Sequence, residues 1–331
     1  TTPPPERNSS NIDQRFPSLF AACSTAATPG ATTSGAAGES SSAAAPAGKI
    51  KIGASFPILD QFLQKVANGM KTAADAQGAE LVVVSADEKS DVQLSQIENF
   101  ISQKVDAILV LPQSTDDVAA INEKATAAKI PLVYVNRRPA DQAGFPYVGS
   151  DSLVSGVLEM TELAKLAGGK GNVAILSGDL SQEAAQLRTQ GCKDVIAKNP
   201  EMKLVKEATG KWQRDLGQSV TENWLSSGEE INVICANNDE MALGAINAIK
   251  AAGKTLGADG ILVGGVDATG DALAAMKAGD LAVTVFQDAG GQGGGAVDAA
   301  IKLIKGETVE ETIDVPYVLV TPDKVSEFEG K

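Results

Sequence analysis

Histidine is absent from all 331 residues. The chain therefore has no imidazole to serve as a general base near neutral pH or as the commonest zinc ligand. Cysteine is scarce: Cys23, Cys192 and Cys235 stand far apart and form no CxxC pair. That spacing supports neither a metal cluster nor a disulfide framework, and Cys192 and Cys235 read as small buried residues. No run of 18 apolar residues occurs, so no membrane-spanning helix is expected. Basic residues are outnumbered, 28 Lys and Arg against 42 Asp and Glu, giving a net charge of −14. Nucleic acid needs a basic footprint and is not an expected partner. No nucleophile motif is present either, so catalysis is disfavoured, and no catalytic residue, metal or cofactor is expected.

Hydrophobic residues make up 43% of the chain, and its length suits two domains. Residues 1–48 stand apart. Thr1 to Pro17 is polar and rich in proline, and Ser24 to Gly48 is almost wholly Ala, Ser, Thr, Gly and Pro. Such a segment cannot bury enough apolar surface to fold and reads as a disordered tether. Between them, Leu19-Phe20-Ala21-Ala22-Cys23 resembles the lipobox of bacterial lipoproteins. That resemblance implies a lipidated Cys23 and a membrane link through the anchor alone.

From Lys49 the apolar pattern alternates between strand and helix without break. Ile50–Ser55, Leu81–Val84, Val105–Leu111 and Pro131–Val135 read as strands, with helical spacing between them. A second series has strands at Asn172–Leu176, Leu204–Glu207, Ile231–Ala236, Ile261–Val266 and Leu281–Phe286. Helices are expected over 183–197, 213–226 and from Asn238 to Gly253. The fold class is α/β, with two similar doubly wound parallel-sheet lobes. In open α/β sheets ligands bind at the carboxyl ends of the strands. Asn136, Asn238 and Asp267 each follow a strand and are expected to face one cleft. Asn238 and Asp60 could also act simply as helix caps.

Two phosphate-loop motifs fail on context. Gly291-Gln292-Gly293-Gly294-Gly295-Ala296 approximates GxGxxG/A but opens a returning helix, with no acidic partner on a following strand. Gly253-Lys254-Thr255 follows a helix instead of preceding one, and Gly253 is better read as a helix stop.

Over Lys49 to Lys331 the chain resembles periplasmic sugar-binding proteins of the ribose-binding family. The residues carrying the resemblance are Asp60-Gln61-Phe62, Val135-Asn136-Arg137, Gly149-Ser150-Asp151, Arg188-Thr189-Gln190-Gly191, Asn238 to Ala242, Val266-Asp267 and Phe286-Gln287-Asp288. Val135 to Pro139, Trp212-Gln213-Arg214 and Val285 to Ala289 resemble its inositol-binding branch. The resemblance implies two lobes joined by a three-stranded hinge, 49–150 plus 288–316 and 151–287 plus 317–331. Its crossovers would fall near Ser150-Asp151, Gln287-Asp288 and Val315-Pro316. It implies ligand contacts from Asp60, Phe62, Asn136, Arg137, Arg188, Trp212, Asn238, Asp267 and Gln287. It further implies a monomer that captures a sugar or cyclitol, myo-inositol first, outside the cytoplasm and delivers it to an ABC permease. The family's pentose binders carry two adjacent aromatics where this chain has Phe62-Leu63, and Asn where it has Asp60, which argues against ribose. A pentose or hexose ligand remains the alternative. A sugar-responsive transcription regulator shares such a sensor fold, but would need a basic helix-turn-helix before Lys49.

Overall fold

The computed structural model describes residues 48–331. The expected leader and tether, Cys23 included, lie outside the described residues apart from Gly48. The first series runs β1 (Lys51–Phe56), α1 (Gln61–Ala76), β2 (Glu80–Ser85), α2 (Ser90–Ser102), β3 (Ala107–Val110), α3 (Val118–Ala128), β4 (Leu132–Val135) and β5 (Tyr147–Gly149). The second runs α4 (Ser152–Leu166), β6 (Lys170–Ser177), α5 (Glu183–Ala197), β7 (Glu201–Thr209), α6 (Arg214–Ser226), β8 (Val233–Ala236), α7 (Asp239–Ala251), β9 (Leu262–Gly264), α8 (Gly270–Lys277) and β10 (Thr284–Phe286). Then α9 (Ala289–Ile304), β11 (Thr312–Asp314) and β12 (Val318–Val320) follow. No helix among the described residues is long and apolar enough to cross a membrane.

Six parallel strands lie in the order β11-β5-β4-β3-β1-β2, and four in the order β7-β6-β8-β9. The two sheets share a plan. In each, the first strand sits between the second and third, so the winding reverses beside it. The reversal opens a crevice at the carboxyl ends of β1 and β3 in one sheet and of β6 and β8 in the other. The chain passes between the sheets three times: from β5 to α4, from β10 to α9 and from β11 to β12. Near the last two passages β10 and β12 pair antiparallel.

Both faces of each sheet are buried. Phe56, Met70 and Val297 pack on one face of the six-stranded sheet, and Phe100, Ile121 and Tyr134 on the other. Along β8, Ile234 and Cys235 point to opposite cores, the two-residue alternation of a strand. The glycine-rich start of α9 packs on α1. A Cβ at Gly293 would stand 2.1 Å from the Val66 carbonyl oxygen, so helix packing accounts for this glycine without a nucleotide. A Cβ at Gly156 of α4 would stand equally close, 2.1 Å, to the carbonyl oxygen of Arg188 on α5. That contact fixes how deep α5 sits.

The cysteines require a correction. Cys192 and Cys235 are fully buried, but they are not separate thiols: they form a disulfide joining α5 to β8 across 43 positions of sequence. Linear spacing could not reveal it, because the two meet only when α5 packs on the face of the sheet to which Cys235 points. Cross-linking a loop of this length restricts the unfolded chain. Replacing both residues, Cys192→Ser with Cys235→Ser, is expected to lower stability by about 2–4 kcal/mol. Urea unfolding of both forms, with and without reductant, measures this. A wild-type midpoint indifferent to reductant and equal to that of the double variant would contradict it.

Candidate functional site

One cavity lies between the carboxyl ends of the two sheets. Asp60, Phe62, Asn136 and Arg137 line it from the six-stranded side, and Arg188, Trp212, Asn238, Asp267 and Gln287 from the other. All nine residues expected at a cleft thus meet in one place. Leu63, Gln182 and Ala184 complete the lining.

Local structure explains several positions. Asp60 follows β1 and caps α1, its Oδ1 accepting the Leu63 N–H at 2.7 Å. Asn238 follows β8 and caps α7, its Oδ1 accepting from Met241 N at 3.0 Å. Its Nδ2 donates to the Trp212 carbonyl at 3.2 Å. Capping and lining are therefore one arrangement: the cap pins the side chain at the helix mouth, where the sheet opens. Asn136 donates from Nδ2 to Gln292 Oε1 at 2.9 Å. Three lining residues have left-handed backbone, Asn136 at φ 60°, Trp212 at φ 68° and Asp267 at φ 119°. Such conformations cost about 1–3 kcal/mol each and persist only where the surroundings hold them.

Arg188 is the centre of the polar network, only 5% exposed. Its Nη1 donates to the Asn237 carbonyl at 2.6 Å, and its Nη2 to Gln287 Oε1 at 3.0 Å and Tyr317 Oη at 2.9 Å. Asp267 Oδ1 lies 3.8 Å from Nη1, and the guanidinium stands 5.5 Å from the centre of the Trp212 ring. Its Nε has no partner among the described residues. Burial works against the charge on Arg188, but Tyr317 and Asp267 more than offset this and its pKa is raised. Burial pushes the Asp267 carboxyl well above its ordinary value, with Arg188 opposing. Asp60 is raised by burial against the Leu63 N–H and Arg137. Burial lowers Arg137 to about 10, with Asp60 opposing. The guanidinium of Arg137 also donates to the Pro112 carbonyl at 3.1 Å.

The wall therefore offers carboxylates that accept, guanidiniums that donate, amides that do both, and the aromatic faces of Phe62 and Trp212. That inventory suits a ring of adjacent hydroxyls, each a donor and an acceptor, over an apolar C–H face. Gln182 was missed in the sequence. It directly precedes α5, as Asp60 and Asn238 precede their helices, and that position was the available signal. Tyr317 carried no local signal for its contact with Arg188. At the crossovers, Ser150 Oγ donates to the Val315 carbonyl and accepts from Gln292 Nε2. Asp151 caps α4 through Leu153 N, and Asp288 caps α9 through Gly291 N.

The chain matches the model of a periplasmic binding protein domain over residues 52–308. It is 46% identical over 288 residues to a "Putative rhizopine-binding protein" of Rhizobium meliloti, covering 85% of this chain and 93% of that one. A xylitol-binding protein of Mycolicibacterium smegmatis is 36% identical over 280 residues, covering 83% and 78%. Among solved structures, an ABC transporter solute-binding protein of Bacillus halodurans with bound myo-inositol aligns with a TM-score of 0.82 at 44% identity, over 85% of this chain and 98% of that one.

Behind the cleft, Asp239 is fully buried. Its carboxylate accepts from Thr284 Oγ1 at 2.7 Å and Thr269 N at 2.8 Å, and burial raises its pKa from 3.8 to about 7. Burial raises Glu159 and Glu183 as well. A carboxyl raised by folding stabilises the fold fully below its unfolded pKa and loses that contribution as pH climbs through the folded value. For Asp239 the window runs from 3.8 to about 7, and the other raised carboxyls act in the same direction. The melting temperature of the ligand-free protein is therefore expected to fall from about pH 5 to about pH 8, and to fall less steeply in Asp239→Asn. A rise across that range, read by calorimetry, would contradict the assignment.

Proposed function

This chain belongs to the periplasmic binding protein family, the extracytoplasmic sugar-binding components of ABC importers, and we propose that its ligand is myo-inositol, held between its two lobes. It is a binding protein and not an enzyme. The observation that carries the ligand reading is the buried polar set around Arg188 and Asp267, converging with Asp60, Asn136, Arg137, Asn238 and Gln287 on one cavity. A cyclitol presents hydroxyls in every direction round its ring and can use such a set from both lobes at once. The relative holding myo-inositol, at 44% identity, supports this choice. Leu63, where pentose binders have a second aromatic, weighs against ribose. The similarity to a xylitol-binding protein makes an open-chain polyol the competing ligand.

In this reading residues 49–150 with 288–316 form one lobe and 151–287 with 317–331 the other. They rotate about Ser150-Asp151, Gln287-Asp288 and Val315-Pro316, and the three chain passages between the sheets support that division. Ligand makes its full set of bonds only when the lobes are together, so it draws the protein into the closed form. The loaded monomer then presents that form to the permease. The lipobox-like Leu19 to Cys23, followed by a Ser/Ala tether, supports anchoring at the outer face of the membrane through Cys23. Mass spectrometry of protein from its host is expected to show lipid on Cys23, and an unmodified chain running through that residue would count against the anchor.

A ligand bound only by the folded state raises the melting temperature. The shift with myo-inositol is expected to exceed those with xylitol, ribose, glucose and galactose, and a larger shift with any of these would sink the inositol reading. By titration calorimetry, Arg188→Ala and Asp267→Ala should each weaken binding by about 2–5 kcal/mol, because each leaves a buried charge or hydroxyl unpaired.

A further inference from the structure

We propose that Gln182 is a positioning residue that couples ligand capture to closure of the lobes. The inference rests on the reading of the cavity as a polyol site. Gln182 occupies the position before α5 where a side chain would ordinarily cap the helix, yet its side chain makes no capping bond. Asp60 and Asn238, in the same position before α1 and α7, both cap. The amide of Gln182 is spent elsewhere. Its Oε1 accepts from the indole Nε1 of Trp212 at 2.8 Å, within its own lobe. Its Nε2 reaches across the cleft to the Gln113 carbonyl at 3.3 Å.

Chemistry fixes the orientation of this amide. An indole N–H can only donate and a carbonyl can only accept, so the amide oxygen must face Trp212 and its nitrogen must face Gln113. The far end is firmly held. Gln113 N donates to Oε1 of Gln93, and Gln93, fully buried, donates from Nε2 to the Leu111 carbonyl. A neighbouring contact closes at the same seam, where Thr115 N and Oγ1 donate to the Ser181 carbonyl at 3.2 Å and 3.1 Å. The Gln182–Gln113 bond exists only with the lobes together, whereas the Gln182–Trp212 bond needs one lobe alone. One buried side chain, 4% exposed, thus orients the aromatic wall of the cavity and favours the closed state. Its bond across the seam weights closure without requiring contact with ligand.

Two variants separate the arms. Gln182→Met keeps the bulk and loses both bonds. Gln182→Glu keeps an acceptor for the indole but sets a carboxylate against the Gln113 carbonyl. By stopped flow with myo-inositol, both should release ligand at least about tenfold faster, the loss expected for the seam hydrogen bond alone, with association changed less than about twofold. The Trp212 indole ¹H–¹⁵N signal, one of only two in this chain, should move in Gln182→Met and stay near its place in Gln182→Glu. Melting curves establish that both variants fold, and spin labels placed one on each lobe report the closed fraction with and without ligand. If wild type ignores myo-inositol, the ligand reading fails alone; xylitol or ribose then serves in the same comparison, and the ligand-free closed fraction, expected to drop in both variants, decides the proposal without any ligand. Wild-type release rates and an unchanged closed fraction in both variants would overturn it.

Discussion

A guanidinium removed from water has to find partners inside the protein, because an unpaired buried charge is among the costliest features a fold can carry. Arg188 sets that constraint here. Its partners come from four separate places: the Asn237 carbonyl after β8, Asp267 after β9, Gln287 after β10 and Tyr317 before β12. Satisfying this one side chain requires the ends of three strands and the final crossover to converge. The backbone below it is fixed twice, by the glycine contact between α4 and α5 and by the disulfide from α5 to β8. The guanidinium is therefore held before any ligand arrives, with Nε unpartnered among the described residues.

The same economy appears in the caps. Asp60 and Asn238 each use one oxygen on a helix N-terminus and stand at the crevice where the sheet winding reverses. A capping side chain loses its rotamer freedom to the helix, so a ligand need not order it again. Left-handed backbone at Asn136, Trp212 and Asp267 turns these side chains toward the cavity at a conformational cost, and the packed lobes offset it.

The two walls are built alike, but under the proposed closure of the lobes they would behave differently. Contacts such as Arg188 to Gln287 lie on one side and would survive opening. Those from Gln182 to Gln113 and from Thr115 to Ser181 bridge the seam and would not. On that reading ligand affinity is divided between a preformed wall and bonds that form only on closing, and the second set would favour the closed state.

Much of this was legible in the chain itself. The alternation of strand and helix and the polar residues after strands are local patterns, and they carried the α/β class and the expectation that Asn136, Asn238 and Asp267 face one cleft, whereas Asp60, Phe62, Arg137, Arg188, Trp212 and Gln287 followed from the family resemblance. Helix α4 escaped because Ser155, Glu159 and Glu162 are buried along it, which blurs the apolar stripe. Strands β5, β11 and β12, of three residues each, escaped as well. The Cys192–Cys235 bond, the hydroxyl of Tyr317 on Arg188 and the reach of Gln182 to Gln113 join positions 43, 129 and 69 apart. Local sequence determines periodicity and caps because those act within a turn or a strand. Contacts between distant segments depend on how helices and sheets stack, so only the tertiary structure decided them.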